Sequence, residues 1–183
     1  MPRRSPTYKR NLVNNFFNFF WTILCFIPII IFWSKEGIDW YFYSSLVLSF
    51  IIGILPQRVI NLSLISSNPK IYEKLGVKFI RKFVQDGATV GSMTSEKKLT
   101  IVNNLSQARK YLKTIAMYER FHWICFSFFV LTTILCFAKG YTTLGIVLIF
   151  ANLLYNGCSI LLQQYNKIRI RKMLSIAEKK LQM

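Results

Sequence analysis

Residues 141–162 read YTTLGIVLIFANLLYNGCSILL, 22 positions without one charged side chain. About 20 mostly apolar residues cross the hydrocarbon core of a bilayer, so a run of this length is a candidate transmembrane helix. Immediately before it, across Lys139-Gly140, residues 121–138 (FHWICFSFFVLTTILCFA) form an uncharged run of 18. Two more uncharged runs stand near the N-terminus, 16–33 with 18 residues and 40–55 with 16. Between those two lies the turn Ser34-Lys35-Glu36-Gly37-Ile38-Asp39, flanked by Trp33, Trp40, Tyr41 and Tyr43. Aromatic residues concentrate at membrane–water interfaces. Apolar residues make up 53% of the 183, only slightly above a soluble domain, so it is their segregation that argues against a soluble globular protein. Cys25, Cys125, Cys136 and Cys158 all lie inside the runs and form no CxxC pair. Neither a disulfide framework nor a zinc or redox motif is expected.

The chain carries 24 Lys+Arg against 7 Asp+Glu, a net +17. Such an excess raises nucleic acid as a partner, but topology accounts for it better. With four spans, 22 of the 24 basic residues fall on one side, and only Lys35 and Lys139 on the other. Lys/Arg-rich segments stay cytoplasmic. The expectation is a single all-α domain over residues 1–183, multi-pass, with both termini cytoplasmic. Its spans are placed at about 12–33, 40–56, 119–138 and 141–163, in two hairpins, with a cytoplasmic segment over 57–118. The first run exceeds a signal-peptide h-region and no A-x-A site follows it, so it is expected to be a retained anchor. The basic face should attract anionic phospholipid, and no nucleic acid partner is expected.

Within the cytoplasmic segment, Asn68-Pro69 reads as an N-cap followed by proline at the first helical position. Tyr72, Leu75, Phe79, Ile80 and Phe83 then recur at helical spacing, opposite Lys70, Lys74, Lys78, Arg81 and Lys82. This predicts an amphipathic helix lying on the membrane surface, with packing on a partner domain as the plainer alternative. Gln85-Asp86-Gly87 reads as a turn. No glycine or proline interrupts residues 92–139. One helix is therefore predicted from about Lys98 to Ala138, roughly 60 Å long and continuous with the third span.

Polar groups inside a span usually face the bundle interior. Asn152, Asn156, Ser159 and Gln163 follow spacings of 4, 3 and 4, which sets them on one helical stripe. They serve either as interhelical hydrogen-bonding groups or as part of a site. His122 is the one histidine, three residues after Glu119, and the two share a helix face. A carboxylate beside an imidazole makes an oriented general base. A histidine bonded to a neighbour at headgroup level is the plainer reading. Antiparallel third and fourth spans would bring Glu119 and His122 toward Asn156, Gln163, Tyr165 and Asn166.

Several chemistries are excluded. One histidine cannot build a multi-histidine di-iron centre. Glu-x-x-His occurs once, where a carboxylate-bridged di-metal site needs it twice, so no metal or cofactor is expected. GxGxxG, GxxxxGK[ST] and GxSxG are all absent, which removes nucleotide folds and the hydrolase elbow. Asp39 and Asp86 fall on opposite sides of the expected membrane, so no intramembrane aspartate dyad exists.

Glu119-Arg120-Phe121-His122-Trp123 resembles the E-x-x-H-W segment of the glycosyl-4,4'-diaponeurosporenoate acyltransferases, which place a fatty acyl chain on the sugar of the carotenoid staphyloxanthin. Asn156 followed by Gln163-Gln164-Tyr165-Asn166-Lys167-Ile168-Arg169 is similar to that family's N-x6-Q-R-Y-N-R-P-R segment. Tyr72-Glu73-Lys74-Leu75-Gly76 through Asp86-Gly87 resembles its E-K-x-G…D-G segment. Coverage runs over about residues 69–172. Gln164 and Lys167 stand where the family has arginines, and Cys158 and Ile168 where it has prolines. The resemblance implies a bacterial plasma-membrane enzyme.

The functional expectation is an integral-membrane acyltransferase. It would move a fatty acyl group to a hydroxyl of a lipid-like acceptor, a glycosylated isoprenoid or glycolipid, at the cytoplasmic face. His122 would take the hydroxyl proton, held in its tautomer by Glu119. Asn156 and Gln163 would steady the oxyanion. Tyr165, Asn166 and Arg169 are carried over as substrate-binding groups. Arg81 and Lys82, with Lys78 and the basic C-terminal tail, would meet a phosphate-rich acyl donor. The alternative is a non-catalytic membrane subunit or assembly factor with a membrane-protein partner. A water-reachable pocket at Glu119 and His122 would favour the enzyme, and a closed polar contact there the subunit.

Overall fold

The computed structural model describes residues 6–84 and 105–181, and all its regular elements are helical. The expected turn at 85–87 and the beginning of the long helix before Leu105 lie outside the described residues. The first helix, α1, spans Pro6–Glu36. It ends where Gly37 takes a left-handed φ of 85°, and the Gly37 N–H donates to the Trp33 carbonyl at 2.9 Å. Asp39 then caps α2 (Trp40–Ile54), its Oδ1 accepting from the backbone N–H groups of Tyr41 at 3.0 Å and Phe42 at 3.2 Å. Such a cap satisfies amides that have no partner inside the helix.

Three helical segments are long and apolar enough to cross a bilayer: Asn11–Glu36, Leu105–Ala138 and Thr142–Lys179. The expected second span, 40–56, is different. At 15 residues, α2 reaches only about 22 Å against a core of about 30 Å. Beyond Ile54 the axis bends by 93° into Gln57–Ser63, which comprises α3 (Gln57–Ile60) and a 3-10 turn, Asn61–Ser63. Pro56 causes the break. Proline offers no N–H and pushes the residue before it out of helical geometry, and Leu55 sits at φ −54°, ψ 144°. Arg120 Nη1 answers the carbonyls left open at the helix end, donating to Gly53 O and Leu55 O at 2.8 Å each. Residues 40–63 are thus a bent pair, and the described helices give three candidate spans, or four if this pair counts as one.

The single amphipathic helix expected after Asn68 is two short helices, α4 (Pro69–Lys74) and α5 (Val77–Ile80). Asn68 caps α4, its side chain accepting from the Lys70 N–H at 3.0 Å. Gly76, at φ 83°, separates the two. This divides the apolar positions between two surfaces. Tyr72 and Val77 are buried against Leu162, Tyr165 and Ile168, while Ile71, Leu75, Phe79 and Phe83 stay exposed.

Helix α6 runs unbroken from Leu105 to Ala138, about 51 Å of helix. After Lys139-Gly140 the chain continues through α7 (Thr142–Asn152), a π turn (Leu153–Gly157) and α8 (Cys158–Leu181). An ion pair of 3.0 Å between Lys139 and Glu36 joins the two turns at one end of the bundle. Helix α6 is central, packed by α2, α7 and α8, while α1 lies along α7. Cys25, Ile29, Phe32 and Trp33 of α1 share a core with Phe129, Cys136, Leu148 and Ala151. At the other end, Ala108 and Ile115 close on Ile170 and Leu174. Outward-facing apolar side chains such as Phe19, Ile54 and Phe150 form a surface suited to lipid.

Candidate active site

Two polar clusters lie between α6 and the α7–α8 helix. The first is a chain of amides ending on His122. The backbone carbonyl of Phe126 accepts from Asn152 Nδ2 at 3.1 Å. Asn152 Oδ1 therefore faces Asn156 and accepts from its Nδ2 at 2.9 Å. That leaves Asn156 Oδ1, 3.2 Å from His122 Nδ1. A carbonyl and an amide oxygen only accept, so polarity passes down the chain without ambiguity. His122 Nδ1 carries the hydrogen, and the basic lone pair is on Nε2. Tyr155 packs edge-on against the imidazole, centroids 5.6 Å apart, and its hydroxyl meets Thr22 Oγ1 at 3.0 Å.

Asn156 lies within the π turn. Such turns insert one residue into a helix and recur at functional sites. The insertion also rotates everything after it. Gln163, expected on the Asn156 stripe, is half-buried and has no hydrogen bond within the described residues. Its neighbour Gln164 takes the inward position at 1% exposure. Gln164 Nε2 donates to Ser63 O at 3.1 Å, and its Oε1 lies 3.1 Å from the Tyr72 hydroxyl and accepts from the Ile65 N–H at 3.4 Å. Ser159 bonds only back to its own helix, donating to Tyr155 O at 2.6 Å.

The second cluster corrects the role expected of Glu119. Its carboxylate is paired with Lys167 of α8, both side chains being essentially inaccessible. Gln57 Nε2 approaches Glu119 Oε2 at 3.5 Å, and Lys167 Nζ donates to Asn61 Oδ1 at 3.2 Å. Glu119 thus pins α6 to α8 and to the bent segment after Pro56, and makes no bond to His122. Glu119 Oε1 and Trp123 Nε1 are buried without a partner among the described residues. The contact at Glu119 is closed. Two clefts lie elsewhere, one of about 640 Å³ between α2 and α6 and one of about 920 Å³ between residues 64–70 and α8. Neither is lined by Glu119 or His122.

The other expected residues are dispersed. Tyr165 donates its hydroxyl to Glu73 Oε1 at 3.0 Å, and the Arg169 guanidinium stacks over the Tyr165 ring at 5.3 Å. Glu73 also pairs with Lys78 at 2.6 Å, and these two partners, Lys78 foremost, hold its carboxyl below the ordinary carboxylate range. Asn166 is half-buried and makes no bond into either cluster; Arg81 and Lys82 are exposed. Sequence reasoning placed Asn152 on the polar stripe and matched Gln164 and Lys167 to the family segment, but it gave no role to Gln57, Asn61, Gln164 or Lys167. A lysine in a basic tail carries no mark of burial. The one available signal was that Gln57 directly follows the Pro56 break.

These features define an all-helical membrane protein with a histidine held by amides between apolar helices. A family model described as glycosyl-4,4'-diaponeurosporenoate acyltransferase matches residues 56–176, about two thirds of the chain. The chain belongs to this family of acyltransferases in carotenoid biosynthesis. No curated protein and no solved structure matches it. The matched stretch begins at the Pro56 break and contains both polar clusters.

Proposed function

We propose that this protein is a bacterial plasma-membrane acyltransferase that esterifies a sugar hydroxyl of a glycosylated carotenoid-like acceptor, with both termini and the site at the cytoplasmic face. The observation that carries the reading is the fixed polarity of the amide chain on His122, within a family whose members transfer acyl groups. His122 Nε2 accepts the acceptor's hydroxyl proton as the oxygen attacks the carbonyl carbon of an acyl ester or thioester. The bond from that carbon to the leaving group then breaks, and His122 returns the proton to the leaving heteroatom. General base action of this kind contributes about 10²–10⁴ in rate. Asn156 serves as the positioning group in place of Glu119. The apolar acceptor enters from the bilayer, and anionic phospholipid gathers at the basic face. Arg81, Lys82, Asn166 and Arg169 remain candidates for contacts with the donor's carrier or the acceptor's sugar.

Purified protein supplied with an acyl donor and a glycosylated carotenoid should yield the acyl ester by mass spectrometry, and His122→Ala should not. A folded His122→Ala protein with full turnover overturns the mechanism. One observation favours the second reading, a non-catalytic membrane subunit: the sealed Glu119–Lys167 contact. A lipid extract identical with and without the gene would decide for that reading.

A further inference from the structure

The larger cleft, about 920 Å³, runs between the 64–70 turn and α8 and is lined by Ser66, Ser67, Asn68, Lys70, Arg171 and Lys172 over an apolar floor of Leu64 and Ile168. Its three cations come from two separate elements. None of them forms an ion pair with a carboxylate of the described residues, and no acidic residue lines the cleft. Three cations elsewhere on this face do pair with carboxylates: Lys78 with Glu73, Arg109 with Glu178, and Lys167 with Glu119. The wall is also rigid. Tyr72, wholly buried, accepts from the Ser66 N–H at 3.2 Å, and its hydroxyl is 3.1 Å from Ser66 O. Gln164 ties the same turn to α8 through Ser63 and Ile65.

We infer that this cleft is a binding site for phosphate esters. Three unpaired cations with hydroxyl and amide donors between them match a multiply charged phosphate, and the arginine adds bidentate geometry. The site is distinct from Arg81, Lys82 and Arg169. Arg171 lies eight residues, about 12 Å, beyond Gln163 at the end of the apolar run, within reach of the headgroup layer. It also lies about 22 Å along the same helix from Asn156, the partner of His122. A soluble acyl donor whose phosphates sit in the cleft would therefore need a long, flexible arm to present its acyl carbon at His122. That link to the donor rests on the acyltransferase reading; the phosphate site does not.

Two sources share this chemistry, a phospholipid headgroup and a phosphorylated carrier. The full-length protein is titrated in maltoside micelles with adenosine 3′,5′-bisphosphate and, separately, with phosphatidylglycerol. The cleft variant Lys70→Gln/Arg171→Gln/Lys172→Gln is compared with Lys35→Gln/Lys110→Gln/Lys113→Gln, which removes the same charge elsewhere. At least one ligand should bind the wild type and the control alike, and bind the cleft variant about tenfold or more weakly, since charged hydrogen bonds are lost. Single Arg171→Gln should lose part of that affinity, which guards against a triple variant that fails to fold. Selective loss of the bisphosphate identifies a soluble carrier, and selective loss of the lipid a headgroup; either supports the site. Equal binding by wild type and cleft variant, or no binding of either ligand, overturns it. The two readings fail separately: His122→Ala that keeps turnover removes the acyltransferase mechanism and leaves cleft binding intact. Binding that is unchanged in the cleft variant, beside an inactive His122→Ala, removes only the cleft.

Discussion

Asn156 Oδ1 stands 3.2 Å from His122 Nδ1, at the end of an amide chain whose direction is set by the Phe126 carbonyl. Reversing either asparagine would set two donors or two acceptors face to face. The imidazole is therefore locked in the tautomer that leaves Nε2 basic. Asn156→Leu should fold and insert, yet lower kcat by about 10-fold or more through lost orientation, with KM little changed. Asn156→Gln, which keeps the amide on a longer arm, should recover part of that loss.

The Glu119–Lys167 pair is buried on both sides. Removing one partner leaves an uncompensated charge and should destabilise by about 3–5 kcal/mol, whereas apolar replacement of both should be far milder. Thermal unfolding of Glu119→Leu, Lys167→Leu and the double variant in micelles checks this. A double variant as unstable as the sum of its singles would contradict the coupling.

Gly53 lets α2 close on α6. A Cβ built there would collide with the Ile124 side chain. Gly53→Ala should cost about 1–3 kcal/mol by overpacking, and Ile124→Ala in the same chain should relieve part of it. Thermal unfolding of the two single variants and the pair reads both effects.

Glu73 titrates low because Lys78, then Tyr165, favour its carboxylate. A carboxyl depressed in the native state contributes stability at neutral pH, and that contribution is lost as pH falls through the native value. The pair is exposed, so the effect is small. Protection factors of the α4 and α5 amides, taken relative to the intrinsic exchange rate at each pH, should fall as the medium is acidified below the ordinary carboxylate range. Glu73→Gln should flatten that response.

Topology is open to labelling. In a cysteine-free background, Gly37→Cys should react with an impermeant maleimide from outside the cell, and Lys110→Cys only after permeabilisation. The reverse pattern would place the polar clusters on the outer face.

The all-helical class, the apolar runs and the Asn68 cap were legible because bilayer length, charge segregation and capping chemistry act through local sequence. The meeting of His122 with Asn156 was legible too, since the turn at Lys139-Gly140 sets their depths by counting residues. Gln164 in place of Gln163 was not. It depends on a π turn, which has no composition of its own and shifts helical phase by a residue. The partner of Glu119 was hidden for a different reason. Lys167 looks like any residue of a basic tail until the bend at Pro56 folds Gln57 and Asn61 beneath the bundle. Only that long-range contact, between positions 48 and more residues apart, makes its burial tolerable.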